Sequence, residues 1–221
     1  MSEKSKRVVM SVFGVVVCGL SVGLLRHAAL GVDPFQSLMS GLDAVIPLRF
    51  GTLYVLVNVL LLLFSLVFDR RKIGLATFIN LFLLGYVAEF SQKAVERLIP
   101  SPALGTRLLL LAVGIVIMCL ASAFYFTADL GVSTYDAVSL VWSQRQKRIP
   151  FAACRVVSDL VCVLLGLLLC LLAGYPMKQV GGVLGVGTII TAFFMGPLIG
   201  FFNRRAAEPF LYGRGGKKPG V

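Results

Sequence analysis

The sequence predicts an all-α, polytopic membrane protein: six transmembrane helices in two inverted three-helix repeats, each with a short amphipathic or re-entrant helix after its first span. Three observations lead to this fold class: an apolar composition, six apolar stretches of about twenty residues, and two blocks of sequence that recur later in the chain. Of the 221 residues, 58% are hydrophobic and 14% are charged, with a mean hydropathy of +0.92. In a soluble domain about a quarter of the residues are charged, so this composition excludes a soluble domain.

The first recurring block joins the end of the first span to the segment that follows it. Between positions 14 and 32, seven of nineteen residues recur at an offset of 100, ending on Leu-Gly-Val in both copies. The second block begins at Gly74 and recurs from Gly185, at an offset of 111, with six of seventeen positions identical. Glycines and threonines paired in the same order rarely arise by chance, so we interpret the chain as a duplicated unit.

The apolar stretches define the spans and divide the chain. The first repeat covers residues 1–99 and the second covers 107–205, joined by a proline-containing linker at 100–106. Residues 206–221 are predicted to be a basic, disordered cytoplasmic tail. A break of the sixth span that frees carbonyls for a cavity is expected at Gly196-Pro197, and the alternative is a proline kink satisfied by neighbouring helices. The spans are expected at residues 8–30, 50–68, 74–94, 107–127, 150–173 and 180–202.

Basic residues in the loops predict the orientation. Fourteen Lys and Arg residues fall on the side that carries both termini, and six fall on the other side. Because cytoplasmic loops are enriched in Lys and Arg, both termini are predicted to be cytoplasmic. Three spans per repeat is an odd number, so the repeats must cross the bilayer in opposite senses, as in many transporters. The basic balance reflects topology, and no nucleic-acid partner is expected.

Each repeat carries a short helix between its first two spans, predicted at residues 34–46 and 134–145. Asp33 is the expected N-cap of the first, with Pro34 at its first helical position, and Ser133 is the equivalent cap before Thr134. Interrupted helices at matched places in two halves point to a transport site, and a helix N-terminus suits a polar or anionic ligand. The alternative is that both helices lie flat at the membrane interface.

Polar and ionisable side chains within the spans are costly and are therefore candidates for a solute or ion path. Asp159 is expected inside the hydrocarbon, where Arg155, one turn earlier on the same helix face, can pair with it. A purely structural pair near the inner interface is the alternative. Asn58 occupies about the same place in the first repeat. The predicted path comprises Asp33, Pro34, Asn58, Thr77, Ser133, Thr134, Asp136, Arg155, Asp159 and Thr188.

No catalytic or metal-binding pattern accompanies these residues. The single histidine, His27, excludes a multi-histidine metal site, and the sequence contains no GxSxG, phosphate-loop or HExxH motif. The five cysteines lie in apolar segments without a CxxC pair and are expected to be packing residues. Neither enzymatic activity nor a cofactor or metal is therefore expected.

The sixth span resembles that of a known family. Its block Val-Gly-Gly-Val-Leu-Gly-Val-Gly-Thr-Ile-Ile at 180–190, followed by Phe-Met-Gly-Pro-Leu-Ile at 194–199, is similar to the sixth-span motif of the YczE/YyaS/YitT-like bacterial membrane proteins. Residues 14–25 and the segment Leu-Gly-Val-Asp-Pro at 30–34 resemble that family's opening motif. The resemblance covers about residues 8–204. It implies an integral protein of the bacterial plasma membrane that acts as a transporter, without a residue-level site or a substrate.

These observations favour a secondary transporter or facilitator of a small polar or anionic solute, whose partners are the lipid bilayer and that solute. One alternative is the substrate-capture subunit of an ATP-driven vitamin importer, which would carry a docking stripe of alanines where this first span has Gly19 and Gly23. A non-transporting accessory membrane protein is another. The solute, the coupling ion and a homo-oligomeric state are left open by the sequence.

Overall fold

The structure, a computed structural model, describes residues 2–68, 73–146 and 151–213. The basic turn at 69–72, the loop positions 147–150 and positions 214–221 of the predicted tail lie outside the described residues. The helices are α1 (Glu3–Ala28), α2 (Pro34–Val45), α3 (Phe50–Phe68), α4 (Leu75–Leu98), α5 (Leu104–Ala128), α6 (Thr134–Gln146), α7 (Phe151–Leu172), α8 (Met177–Val183), α9 (Val186–Phe202) and α10 (Glu208–Tyr212).

Six stretches of the described chain are long and apolar enough to cross a membrane. They are Glu3–Ala28, Phe50–Phe68, Leu75–Leu98, Leu104–Ala128, Cys154–Leu172 and Met177–Tyr212. The predicted all-helical architecture with six spans is therefore confirmed, and the chain is a multi-pass membrane protein.

The first spans of the two predicted repeats, α1 and α5, pack antiparallel, and an arginine near the start of each helix binds the end of the other. Arg107, near the start of α5, donates to the carbonyl oxygens of Ala28, at 2.7 Å, and Ala29 at the end of α1. Arg7, near the start of α1, donates to the carbonyl oxygen of Ala128 at the end of α5, at 2.9 Å. Unbonded carbonyls and the helix dipole both favour a cation at a helix C-terminus, so each arginine stabilises the end of the other helix.

Each short helix follows a left-handed turn at the end of the preceding span. Ala29 and Gly31 have φ angles of 49° and 106°, and Asp129 and Gly131 have φ angles of 53° and 116°. Glycine adopts this region without the clash that a Cβ atom causes, which explains why both copies of the recurring block contain it. The turns redirect the chain from α1 into α2 and from α5 into α6.

The predicted caps of the two short helices are present. The Asp33 carboxylate accepts the backbone N–H of Gln36 at 3.2 Å, and the Ser133 hydroxyl accepts the backbone N–H of Asp136 at 3.1 Å. The first turn of α2 has no exposed face, since residues 34–37 are all buried.

The segments before α2 and α6 bind main chain in the other predicted repeat. The Leu30 carbonyl accepts the N–H of Gly187 at 2.8 Å, and the Leu130 carbonyl accepts the N–H of Ala76 at 3.0 Å. The two acceptors are 100 positions apart and the two donors 111 positions apart, which are the offsets of the two recurring blocks. The recurring blocks of sequence therefore contact each other across the molecule.

The sixth span is interrupted at Gly185, between α8 and α9, and not at Pro197 as the sequence suggested. Helix α9 continues through Pro197. The break lies where the chain meets the segment before α2: a Cβ atom at Gly185 would lie 2.5 Å from the Leu30 carbonyl oxygen. The close main-chain contact ends the helix here, and the sequence of this span alone gives no sign of it.

Residues 206–212, which the composition assigned to a disordered tail, are helical. A π-helical turn over Asn203–Ala207 leads from α9 into α10, where Leu211 is buried. The Tyr212 hydroxyl accepts a hydrogen bond from the Arg7 guanidinium at 3.3 Å. Apolar and hydrogen-bonded contacts with α1 therefore hold the start of the predicted tail.

Candidate functional site

A cavity of about 110 Å³ lies where the first turns of α2 and α6 meet inside the bundle. Asp33 and Gln36 of α2 and Ser133 and Asp136 of α6 line it. Because liquid water occupies about 30 Å³ per molecule, the space suits a few waters or one small solute. Further polar side chains come from the surrounding spans: Tyr54, Asn58, Asn80, Ser122, Tyr125 and Arg155.

Most of the predicted path residues lie in or beside this cavity. Asp33, Asn58, Ser133, Asp136 and Arg155 line it directly. The others close to it are Pro34 and Thr134, which are buried in the first turns of α2 and α6, and Asp159, which reaches it through Arg155 and Tyr135.

The two predicted threonines Thr77 and Thr188 do not line the cavity. The Thr77 hydroxyl donates to the Val132 carbonyl at 2.6 Å, and the Thr188 hydroxyl donates to the Val183 carbonyl at 3.2 Å. Both hydroxyl hydrogens therefore bind main-chain carbonyls and do not face the cavity.

Asn58 connects α3 to the start of α6. Its Oδ1 accepts a short hydrogen bond from the Thr134 hydroxyl, and its Nδ2 donates to the Tyr54 carbonyl at 2.8 Å. With a residue exposure of 1%, the side chain has both ends of its amide satisfied. Asn58 therefore positions the first turn of α6 at the cavity wall.

Arg155 joins α6 to α7 and has two carboxylate partners. Its guanidinium pairs with Asp136 and, through Nε at 3.2 Å, with Asp159. The same guanidinium lies over the Tyr135 ring at 4.5 Å, and the Tyr135 hydroxyl donates to Asp159 at 2.6 Å. The Arg155–Asp159 pair predicted from spacing is thus present, but Asp136 and Tyr135 extend it into a network across two helices.

Aromatic rings form part of the cavity wall, and the sequence analysis did not include them. Phe35 and Tyr135 stack with ring centroids 4.9 Å apart, and Tyr54 meets Phe35 edge-on at 5.9 Å. Phe35 and Tyr135 are matched at the offset of 100. That recurrence of an aromatic residue two positions after each cap was the available signal.

Two polar groups of residues in the wall lack a hydrogen-bond partner within the described chain, and the Asp33 carboxylate accepts the backbone N–H of Gln36. Gln36 Oε1 and the Tyr125 hydroxyl are buried without a hydrogen bond, in residues that are 4% and 6% exposed. The Asp33 carboxylate forms no ion pair there, and burial raises its pKa to about 6. Buried polar atoms normally have partners, so these groups mark the part of the cavity suited to a ligand.

A second polar cluster joins α1, α2 and α4. Arg26 donates to Asp43 and to Gln92, each at 2.7 Å, and its guanidinium covers the Phe50 ring at 3.8 Å. Arg26 stands in the last turn of α1 and does not line the central cavity. The cluster ties the short helix α2 to two spans.

Six apolar helices long enough to span a membrane, around a small polar cavity lined by carboxylates, define a multi-pass membrane protein. The model of the family of unknown function DUF6198 matches residues 5–204, and the chain belongs to this family.

Two relatives are similar along most of their length. The chain is 26% identical over 198 residues to the uncharacterized protein YyaS of Bacillus subtilis strain 168, covering 90% of this chain and 92% of that protein. It is also 26% identical over 197 residues to an uncharacterized protein of Haemophilus influenzae, covering 89% of this chain and 83% of that protein. These matches confirm the resemblance to YczE/YyaS-like proteins. No solved structure matches the chain.

Proposed function

We propose that the chain is a secondary transporter or facilitator of a small polar solute across the bacterial plasma membrane. The observation that carries this proposal is the polar cavity between the starts of two interrupted helices inside a six-span bundle. An accidental packing void would be apolar and dry, whereas this one is lined by Asp33, Asp136 and Arg155. Charged groups among membrane spans are expensive and are retained chiefly for function.

The two halves are proposed to be inverted repeats with both termini in the cytoplasm. Support comes from contacts that recur with the halves exchanged: Leu30 with Gly187 against Leu130 with Ala76, and the reciprocal arginine caps of α1 and α5. A pseudo-two-fold axis in the membrane plane produces such exchanged pairs. Transporters use this symmetry to open one site alternately to each side.

We favour a re-entrant placement of the short helices over an interfacial one. A helix lying flat at the interface keeps one polar face in water, yet four consecutive residues at the start of α2, residues 34–37, are buried. Thr134, Tyr135 and Asp136 at the start of α6 are buried as well. Non-helical backbone at membrane depth is tolerated where it lines a protein cavity, and Asp33 and Ser133, which follow the two glycine turns, line the cavity.

Reporter fusions test the topology. A reporter after residues 71, 146 or 215 is expected to be active as a cytoplasmic fusion, and one after residues 48, 103 or 177 as an external fusion. An external signal at 146 would contradict the inverted arrangement, because the second half would then cross the membrane in the same sense as the first.

Solute uptake tests the transport function. The purified full-length protein in liposomes, offered pooled metabolites with and without a proton gradient, is expected to accumulate or equilibrate at least one small polar solute. Asn58→Leu, which removes the partner of Thr134, is expected to reduce this flux strongly, whereas Gly105→Ala, at a position with open space, is expected to preserve it. A solute that binds but never crosses would contradict the transporter and favour a capture subunit.

A further inference from the structure

We infer that the central cavity binds a small organic ammonium ion, and that the Asp33 carboxylate holds either this cation or a proton. This inference rests on the proposed transport function and names the substrate class for the same site. It follows from the charges, the unpaired acceptors and the aromatic rings around the cavity.

The charge balance favours a cation. Among the described residues at the cavity and directly behind it, the carboxylates are Asp33, Asp136 and Asp159, and the only guanidinium is that of Arg155, which is bound to two of them. Asp33 has no ion pair within the described part of the chain. Charge interactions are strong in a low-dielectric interior, so an anion in this cavity would be repelled and a cation beside Asp33 would be stabilised.

The helix starts do not offer an anion site in compensation. The N–H of Gln36 donates to the Asp33 carboxylate, and the N–H of Asp136 donates to the Ser133 hydroxyl. The Asp136 carboxylate also stands in the first turn of α6, where it accepts from Ser133 at 2.6 Å. Anions bind helix N-termini through free N–H groups, whereas here each start carries a carboxylate of its own.

The unpaired polar atoms match the hydrogen bonding of a primary ammonium. Such a group donates three hydrogen bonds and accepts none. Asp33, Gln36 and Tyr125 all line one cavity, and Gln36 Oε1 and the Tyr125 hydroxyl have no hydrogen-bond partner within the described chain. These three residues therefore offer acceptors of the kind that a bound ammonium needs.

The aromatic rings favour an organic cation over a metal ion. Cations are attracted to the faces of aromatic rings, and Phe35, Tyr54 and Tyr135 stand together in the wall at ring distances of 4.9 and 5.9 Å. Arg155 already occupies one such position, over the Tyr135 ring. The faces of these rings supply no ligand atoms for a metal ion, but they do accommodate the carbon atoms of an alkylammonium.

Asp33 can exchange the cation for a proton. Only the carboxylate pairs with an ammonium, so at low pH one proton must leave for each monovalent cation that enters, and the exchange is electroneutral. Burial raises the pKa of Asp33 to about 6, so both forms are populated near pH 6 and the carboxylate predominates above pH 7. The titratable groups that face Asp33 are Cys18 of α1, Tyr54 of α3, Tyr125 of α5, Tyr135 and Asp136 of α6, and Arg155 and Asp159 of α7.

Calorimetric titration of the full-length protein in lipid nanodiscs with propylammonium chloride tests the inference, with a pH-indicator dye to count released protons. We expect binding without proton release at pH 7.5, and weaker binding with release approaching one proton per protein at pH 5. Asp33→Asn keeps a good N-cap and is expected to weaken binding at pH 7.5 at least tenfold and to abolish proton release. Sodium propionate and sodium chloride are expected to give no binding heat.

Two further variants separate the site from the fold. Tyr125→Phe removes a hydroxyl without a protein partner, so it is expected to leave the melting temperature unchanged or higher while weakening propylammonium about five- to tenfold. Glu96→Gln, which alters an exposed carboxylate on α4, is expected to change neither property. If Asp33→Asn does not fold, Tyr125→Phe decides the question.

Binding of propionate or sodium in place of propylammonium would overturn the inference, as would propylammonium binding that Asp33→Asn and Tyr125→Phe leave intact. The proposed transport function fails separately. Propylammonium that binds but does not cross liposomes would support the cation site and contradict transport. Flux of a neutral or anionic solute that propylammonium does not inhibit would support transport and overturn the ammonium site.

Discussion

Asp33 both stabilises and destabilises the protein. Its carboxyl caps α2, which asparagine does equally well, but its buried charge is unfavourable. Burial raises the pKa of Asp33 to about 6, from about 4 in an unfolded chain. Between these pH values the folded state binds more protons than the unfolded state, so the free energy of unfolding falls as the pH rises from about 4 through 6. We expect Asp33→Asn to raise the free energy of unfolding above pH 7 by about 2 kcal/mol. The melting temperature of Asp33→Asn should depend less on pH between 4 and 8 than that of the control variant Glu96→Gln. The same pH dependence in both variants would contradict an unfavourable buried charge at Asp33.

Arg155 is expected to be the residue of its network least tolerant of replacement. Arg155→Leu leaves Asp136 and Asp159 largely buried without a cation, at a cost of about 3–5 kcal/mol. Asp159→Asn leaves the Asp136 pair intact and an oxygen for the Tyr135 hydroxyl, so about 1 kcal/mol is expected. Because Asp136 is a third member, removing Arg155 and Asp159 together does not restore stability. Unfolding of detergent-solubilised variants measures the order; equal losses would contradict the network.

At the scale of elements, the turns before α2 and α6 depend on glycine. A Cβ atom at Gly31 would lie 2.7 Å from the Gly185 nitrogen, and one at Gly131 would lie 2.6 Å from the Gly74 nitrogen. Both residues also have a positive φ. Gly31→Ala and Gly131→Ala are each expected to destabilise the protein by about 2–4 kcal/mol, since strain and a main-chain clash add. Gly105→Ala, in a helix with open space, should be neutral or stabilising; similar losses in all three would refute this account.

The elements were predictable where their signals are local. Apolar runs located the spans, and α2 and α6 begin at Pro34 and Thr134 because each follows a glycine turn and a capping residue. The break at Gly185 was missed because it depends on the main chain at Leu30, which is distant in sequence. A pattern within one span cannot report where another segment will touch it.

The cavity was only partly predictable for the same reason. Asp33 was found because a cap is a local feature, whereas Gln36 and Tyr125 require knowing which helix faces meet. Tyr125 has no aromatic counterpart at Leu25 in the first half, so the repeat did not mark it. Arg7 and Arg107 do recur at the offset of 100. Their role at the helix ends could not be predicted, however, because it depends on the antiparallel packing of α1 and α5.

At the scale of the whole molecule, the two halves are packed differently. In the first half a Cβ atom at Gly85 would lie 2.6 Å from the Tyr54 Cβ, so α3 and α4 are in close contact. At the matched Gly196 of α9, a Cβ atom would meet no described atom within 4 Å. The close contact around Gly85 therefore has no counterpart around Gly196 among the described residues. In the proposed transport cycle, inverted repeats exchange these two arrangements and so open the cavity to each side in turn.

A disulfide between α3 and α4 tests this exchange of arrangements. A Cβ atom at Gly51 would lie 2.9 Å from Tyr86 Cγ. Because Tyr86 Cβ is one bond from Cγ, the Cβ atoms of a cysteine pair at 51 and 86 would not exceed the upper limit of about 4.5 Å that a disulfide needs. In a background without the five native cysteines, Gly51→Cys with Tyr86→Cys is expected to cross-link on mild oxidation. Solute flux in liposomes should then fall to background, because α3 and α4 can no longer separate, and a reductant should restore it. Each single cysteine should transport equally well before and after oxidation. Full flux through the cross-linked protein would mean that α3 and α4 stay together throughout transport, and alternating access would have to arise from α7 and α9 alone.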